Sequence, residues 1–250
     1  MTSRPAQIGF SQRIRLEWLQ QVSQFVLADC EKPAIVAALQ EVLKQKVSIG
    51  GDATRGNREK IITILVRVWC SGDKALDSFR RDGLALLKLL PSDLHMPVHW
   101  GMVMATYPFW GHVALQVGRL LRLQGSVASS QVQRRIREQY GERETVSRAA
   151  RRVLRSFLDW GVLAESGKKG IYKPAASTPS VGRLNLTGWL IEALLHTKVE
   201  GSVSLSEVFD NPCFFPFSIK PCNGALLASE FPRITLFRHG LNEDLISFNR

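Results

Sequence analysis

The sequence has few cysteines, and they are widely spaced. Four occur among 250 residues with no CxxC pair, which excludes a disulfide framework and leads us to expect a reducing, cytoplasmic compartment. Residues 1–18 lack the apolar core of a signal peptide, so none is expected. With 45% hydrophobic and 22% charged residues, the composition is that of a folded protein, which excludes disordered and collagen-like classes.

Long apolar runs are also lacking, apart from one segment. Residues 94–118 carry no Asp, Glu, Lys or Arg, which is long enough to span a bilayer. Pro97 and Pro108 interrupt the segment, and three histidines make it more polar. We therefore predict two buried helices that meet near Pro108, and no membrane partner.

The sequence contains parts of several catalytic motifs but no complete one. Gly51 and Gly56 have P-loop spacing, but Asn57 follows where a phosphate-binding Lys is needed. His95 and His99 are four residues apart without the Glu of a zinc-binding HExxH motif. No GxSxG elbow or paired-carboxylate site is recognisable. We expect neither catalysis nor a cofactor nor a metal.

Helical periodicity dominates the first 90 residues. Ile14 and Trp18 begin the apolar face of a first helix, and Asn57 is the expected N-cap of a third. The start of that third helix is also a possible second phosphate site, formed by Arg55, Arg58 and Lys60. We predict three regions: a helical bundle (1–92), a central domain (93–174) and a small α+β C-terminal region (175–250).

The C-terminal region carries a phenylalanine-rich irregular segment and, after it, an alternating pattern on both sides of HGLNED. The alternation predicts a short strand pair. The phenylalanines have two interpretations, core packing or docking of another protein chain: Phe214, Phe215 and Phe217.

Positive charge is abundant and unevenly distributed. The net charge is +11, from 33 basic and 22 acidic residues. Residues 119–173 hold thirteen basic and five acidic residues, so this segment is +8 and the rest of the chain only +3. Such a concentration indicates a polyanionic partner, and its bias toward arginine favours nucleic acid.

The same segment has a recognisable order of elements. One helix ends near Leu123, a second begins at Ser129 or Ser130 as its N-cap and runs through Tyr140, and Gly141 makes a turn. A third helix covers about 144–160, and "DWGVL" leads into a hairpin with a glycine-bounded lysine tip at 166–170.

This order resembles a winged helix-turn-helix domain. The resemblance implies that the helix after the turn lies in the major groove of double-stranded DNA and that the wing contacts the backbone. The fold expected for the whole chain is mainly α, with the helical bundle, a central winged helix with a β-hairpin wing, and the small α+β tail. The DNA-binding residues implied are Arg134, Arg135, Ser147, Arg148, Arg151, Arg152, Arg155, Lys168 and Lys169.

A more distant resemblance covers about residues 10–165. The order of helices, the glycine-arginine loop and the basic helix ending in "FLDWGVL" resemble BrxA-like accessory proteins of BREX phage-defence systems. That likeness implies a NusB-like helical N-terminal part and a DNA-binding accessory role in a defence complex. Three other functions stay open: a sequence-specific transcription regulator, an RNA-binding protein and a protein-interaction adaptor.

Overall fold

The chain is mainly helical with small sheets, as the sequence predicts. The computed structural model describes residues 8–47, 56–175, 180–198, 202–239 and 243–248. The α-helices are α1 (Leu16–Leu27), α2 (Lys32–Lys44), α3 (Asn57–Trp69), α4 (Asp77–Leu89), α5 (His95–Thr106), α6 (Pro108–Gln124), α7 (Ser129–Tyr140), α8 (Glu144–Asp159), α9 (Leu184–Thr197), α10 (Leu205–Phe209) and α11 (Gly224–Glu230).

Within the described residues, eight short strands form three sheets. They are β1 (Val127–Ala128), β2 (Leu163–Glu165), β3 (Ile171–Pro174), β4 (Ser180–Val181), β5 (Val203–Ser204), β6 (Ser218–Ile219), β7 (Ile234–His239) and β8 (Glu243–Phe248). The orders are β1-β3-β2 and β5-β8-β7, both antiparallel, while β4 and β6 pair in parallel. The β7–β8 pair confirms the strand pair predicted on either side of HGLNED.

The charge-free segment forms two buried helices, α5 and α6, as predicted. Pro108 is the first residue of α6, a position where its missing N–H costs no hydrogen bond. Gly125 ends α6 with a φ of +69°, in the left-handed region that glycine adopts without strain. In the part of the chain that the structure describes, no helix has both the length and the apolar character needed to cross a membrane.

Residues 8–15 form no regular helix or strand, and Ile14 bonds to the C-terminal end of α8. The sequence places Ile14 in the first helix, but that helix begins at Leu16. The reason is a pair of distant hydrogen bonds: the Ile14 N–H donates to Ser156 Oγ at 2.8 Å, and the Trp160 indole N–H donates to the Ile14 carbonyl at 2.9 Å. Both backbone groups of this buried residue are therefore satisfied by α8 and the residue after it rather than by a helical turn.

Two predicted helix caps are wrong by one or two residues. Gly56, not Asn57, is the N-cap of α3, and its N–H donates to Glu59 Oε2 at 2.8 Å. Ala128 is the N-cap of α7, so Ser129 and Ser130 lie inside the first turn. In both cases the residue three positions after the cap supplies the side-chain oxygen that bonds the cap N–H.

Helix α9 inserts into the helical core. Trp189 stacks on Phe79 with ring centroids 4.3 Å apart, and its indole N–H donates to the Phe79 carbonyl at 3.1 Å. Gly83 and Gly101 make room for the ring, since a Cβ on Gly83 would lie 2.7 Å from it and one on Gly101 closer still. These contacts join parts of the chain on both sides of the predicted boundaries at 92 and 174, which remain predictions.

The phenylalanine-rich segment lies in the core. Phe214 and Phe217 are 2% and 7% exposed, and the half-buried Phe215 packs on Trp100 and Phe157. The side chains proposed for docking another chain are therefore occupied by internal contacts. The nearby Pro212 carbonyl lies so close to Gly118 of α6 that a Cβ there would overlap it.

One ion-pair cluster joins α4, α9 and the residue before β7. The Arg233 guanidinium donates to both oxygens of Glu192, at 2.6 and 3.0 Å, and also to Asp82. Glu192 is 1% exposed, so its charge has little water around it. Burial raises the pKa of Glu192, but the nearby His196, with Nε2 3.7 Å from Oε1, and the hydrogen bonds from Arg233 outweigh it and hold the pKa below its usual value.

Candidate nucleic-acid interface

Helix α8 has one buried and one arginine-bearing face. The buried face includes Val146, Ala150, Val153 and Phe157, which follow helical spacing and pack in the core. At 100° per residue the arginines fall on the opposite side. We call this exposed surface the arginine face, defined by Arg148, Arg151, Arg152 and Arg155.

The two ends of the arginine face differ in charge balance. At the N-terminal end, one Glu144 carboxylate oxygen lies 3.4 Å from Nη2 of both Arg148 and Arg151. Across residues 8–47, 56–175, 180–198, 202–239 and 243–248, no carboxylate oxygen lies within 4.0 Å of Arg152 or Arg155. The positive charge is thus least neutralised around Arg152 and Arg155.

Arg152 lies among like charges. Partial burial, followed by the positive charges of Arg148 and Arg151, lowers the pKa of its guanidinium. The guanidinium stays protonated at neutral pH because its ordinary pKa lies far above that range. A bound anion would relieve the repulsion among these three side chains, so the face is suited electrostatically to phosphate.

A lysine-tipped hairpin follows α8. Strands β2 and β3 form it, and Lys168 and Lys169 at its tip are exposed. Gly167 and Gly170 flank them with φ of +85° and +76°, which a turn this tight requires. The Ser129 N–H donates to the Gly170 carbonyl at 2.8 Å, so the tip is attached to the first residue of α7.

The structure separates the two arginines predicted to flank the site on α7. Arg134 is exposed and pairs with Glu138 at 3.8 Å. Arg135 is half-buried, and its guanidinium reaches Gln116 of α6 at 3.5 Å. Neighbouring residues on a helix point about 100° apart, and here that turn directs Arg134 to solvent and Arg135 toward α6.

Ser147 does not belong to the exposed surface. It was predicted with the DNA-binding residues, but it is 8% exposed and lies beside Val146 on the buried side of α8. Its place in the sequence, directly before Arg148, gave a false indication because adjacent helical residues point in different directions.

The possible second phosphate site is only partly described. Arg55 lies outside the described residues. The Arg58 guanidinium donates to the Lys44 carbonyl at 3.2 Å, and Lys60 is half-buried. The N–H of Gly56, at the start of α3, already bonds the Glu59 carboxylate, which occupies one of the donors expected to attract a phosphate.

Asp159 and Arg13 belong to this surface but were not predicted from the sequence, whereas the i, i+4 spacing of Glu144 and Arg148 did indicate an ion pair. Glu144 and Asp159 lie at opposite ends of α8, and Arg13 is 3.8 Å from Asp159. Helical spacing could also have found Asp159, four residues after Arg155. No local signal could have found Arg13, because its position depends on packing between distant parts of the chain.

Comparison with known proteins gives no relative. No family model matches the chain, and no curated protein or solved structure is significantly similar to it. Among the described residues, no group of three or more His, Cys, Asp or Glu side chains could hold a metal ion.

Proposed function

We propose that this chain is a non-catalytic protein that binds double-stranded DNA through a winged helix. The carrying observation is the arginine face of α8, where Arg152 and Arg155 have no carboxylate within 4.0 Å in the described part of the chain. This face lies in the 119–173 segment, which holds +8 of the net charge of +11. Counterion release from DNA phosphates would supply most of the binding free energy.

The order of elements supports the winged-helix assignment. Helices α6, α7 and α8 are followed by the β2–β3 hairpin, and β1 between α6 and α7 pairs with β3. In this proposal α8 enters the major groove, while Lys168 and Lys169 on the wing contact the flanking backbone. In the structure Arg148 and Arg151 pair with the Glu144 carboxylate, and on binding they would exchange it for DNA phosphates.

The test is a salt titration of DNA binding by the full chain. Fluorescence anisotropy with a labelled duplex gives the affinity at several salt concentrations for wild type and for Arg152→Gln/Arg155→Gln. If both arginines bind phosphate, the slope of log K against log [salt] becomes shallower by about 1.8, and affinity at 0.1 M salt falls by about 60-fold.

The matched control removes equal charge elsewhere. Lys88→Gln/Arg238→Gln alters two exposed side chains on α4 and β7 and should leave the slope unchanged. Equal losses in both double variants would mean that net charge, not the arginine face, drives binding. Absence of duplex binding at low salt refutes the proposal, and stronger binding to single-stranded or structured RNA replaces it with an RNA-binding function.

The accessory role in phage defence is a separate part of the proposal. It is supported by the resemblance over about residues 10–165 and by the concentration of positive charge near the end of that range. Neighbouring genes of a BREX cluster would support it. Selection of one defined sequence from a random duplex pool would instead favour a transcription regulator, whose operator is specific.

A further inference from the structure

The segment before α1, residues 8–15, is fixed at the C-terminal end of α8 through Ile14. Ile14 contributes its N–H to Ser156 and its carbonyl to Trp160, and its side chain is 1% exposed. Phe10 is buried as well, with its ring 5.3 Å from that of Trp110. Since the backbone on one side of Arg13 is held by hydrogen bonds and Phe10 anchors the other, the location of Arg13 is determined by the fold.

Arg13 adds a basic side chain at the C-terminal end of the arginine face. Its guanidinium Nη1 is 3.8 Å from Asp159 Oδ2, and the Arg13 side chain is 47% exposed. Asp159 is four residues after Arg155 and seven after Arg152, so all three lie on the same side of α8. Arg13, although distant in sequence, thereby adds one more basic side chain to the arginine face.

We propose that Arg13 contacts a backbone phosphate of duplex DNA at the C-terminal end of the arginine face; this inference rests on the proposed function. The eleven-residue span from Arg148 to Asp159 rises about 17 Å along α8. The major groove is about 12 Å wide, so a row of side chains longer than this width reaches past the base edges to the backbone phosphates of one DNA strand. Arg13, 3.8 Å from Asp159 at the last residue of α8, lies at that outer end.

The Asp159 contact favours a phosphate role over a purely structural one. The Arg13 side chain is 47% exposed and that of Asp159 23%, and an ion pair 3.8 Å apart with one partner in solvent contributes little to stability. Ile14 already attaches the segment through two hydrogen bonds. Without Arg13, Asp159 would present an uncompensated negative charge toward the DNA, so Arg13 both neutralises that charge and offers donors to the phosphate.

Arg13→Gln and Arg15→Gln form a matched pair. Arg15 loses the same charge two residues away, but its guanidinium faces Glu17 at 3.6 Å and the Trp18 ring at 5.5 Å. Anisotropy titrations with duplexes of two unrelated sequences should show a slope shallower by about 0.9 for Arg13→Gln, with about eightfold weaker binding at 0.1 M salt on both sequences. Arg15→Gln should match wild type.

The Asp159→Asn background separates direct contact from charge compensation. If Arg13 binds phosphate, Arg13→Gln still makes the slope shallower when position 159 is Asn, because only the charge-compensation part of the loss disappears with the acid. If the loss disappears in Asp159→Asn, Arg13 only compensates the acid and the inference is overturned. Arg155→Gln serves as the reference: a loss there with none for Arg13→Gln refutes this inference alone, while absence of all binding refutes the proposed function too.

Discussion

Mild acid should destabilise this protein, because His99 is folded into a site that accepts only the neutral imidazole. The side chain is fully buried, and its Nδ1 accepts the Trp69 indole N–H at 3.2 Å. The described residues offer no partner to its Nε2. Burial, followed by the charge of His95, lowers the pKa of His99 to about 3.

The sign and size of the effect follow from linkage. In the unfolded chain His99 has an ordinary pKa of about 6.5, so between pH 6.5 and 3 the unfolded state binds a proton that the folded state refuses. Stability is therefore complete above about pH 6.5 and falls by up to about 1.4 kcal/mol per pH unit below it. At pH 5 the His99 contribution amounts to about 2 kcal/mol.

Urea unfolding followed by tryptophan fluorescence at pH 7, 6 and 5 measures this loss. His99→Gln is the comparison, since its amide oxygen can still accept from Trp69 but cannot titrate. Wild type should lose about 2 kcal/mol more than His99→Gln between pH 7 and 5.

Two other groups bear on the choice of pH window. Burial first, then the charge of Lys198, also lowers the pKa of His112, and its effect cancels because both proteins contain it. The lowered pKa of Glu192 makes its stabilisation disappear only in more acidic solution, below the usual carboxyl range. If the stability of wild type and of His99→Gln changed with pH in parallel, the loss would not come from His99. If His99→Gln does not fold, an NMR titration of wild type replaces this comparison, and protonation of His99 near pH 6.5 would refute the prediction.

Two further substitutions test the packing and the buried charge. Gly118→Ala should destabilise the fold by about 3 kcal/mol or more in thermal unfolding, because its methyl group would overlap the Pro212 carbonyl. The control is Leu123→Ala, at a side chain 75% exposed, which should change stability by less than about 0.5 kcal/mol. Arg233→Leu should cost about 3–5 kcal/mol in urea unfolding, because Glu192 keeps a buried charge without its main partner; a loss no larger than that of Arg238→Leu would contradict this account.

Local sequence patterns were sufficient to predict the helix and the hairpin of the candidate site. The apolar spacing of Val146, Ala150, Val153 and Phe157 gave α8 and its buried face, and the glycines at 167 and 170 indicated the hairpin. Such signals depend on residues close together in sequence. Winged-helix geometry and DNA binding, which depend on how these elements meet a partner, stay predictions.

Contacts between residues far apart in sequence decide the points that local patterns predicted wrongly or left open. Ile14 has helical spacing with Trp18, yet hydrogen bonds to Ser156 and Trp160 keep it outside α1. The phenylalanines near Pro212 allowed two interpretations, and the structure shows core packing, because the slot left by Gly118 admits their segment to the core. Neither outcome is encoded by neighbouring residues, because each depends on a group roughly 90 or more positions away.

The insertion of α9 constrains how this protein can be made in the cell. The ribosome delivers the chain N-terminus first, at about 5–20 residues per second, so α1–α8 emerge before Trp189. Until then Phe79 lacks its stacking partner, and the space beside Gly83 and Gly101 is unfilled. We therefore expect nascent chains arrested before residue 184 to remain protease-sensitive, and full protection to arise only after α9 has left the exit tunnel.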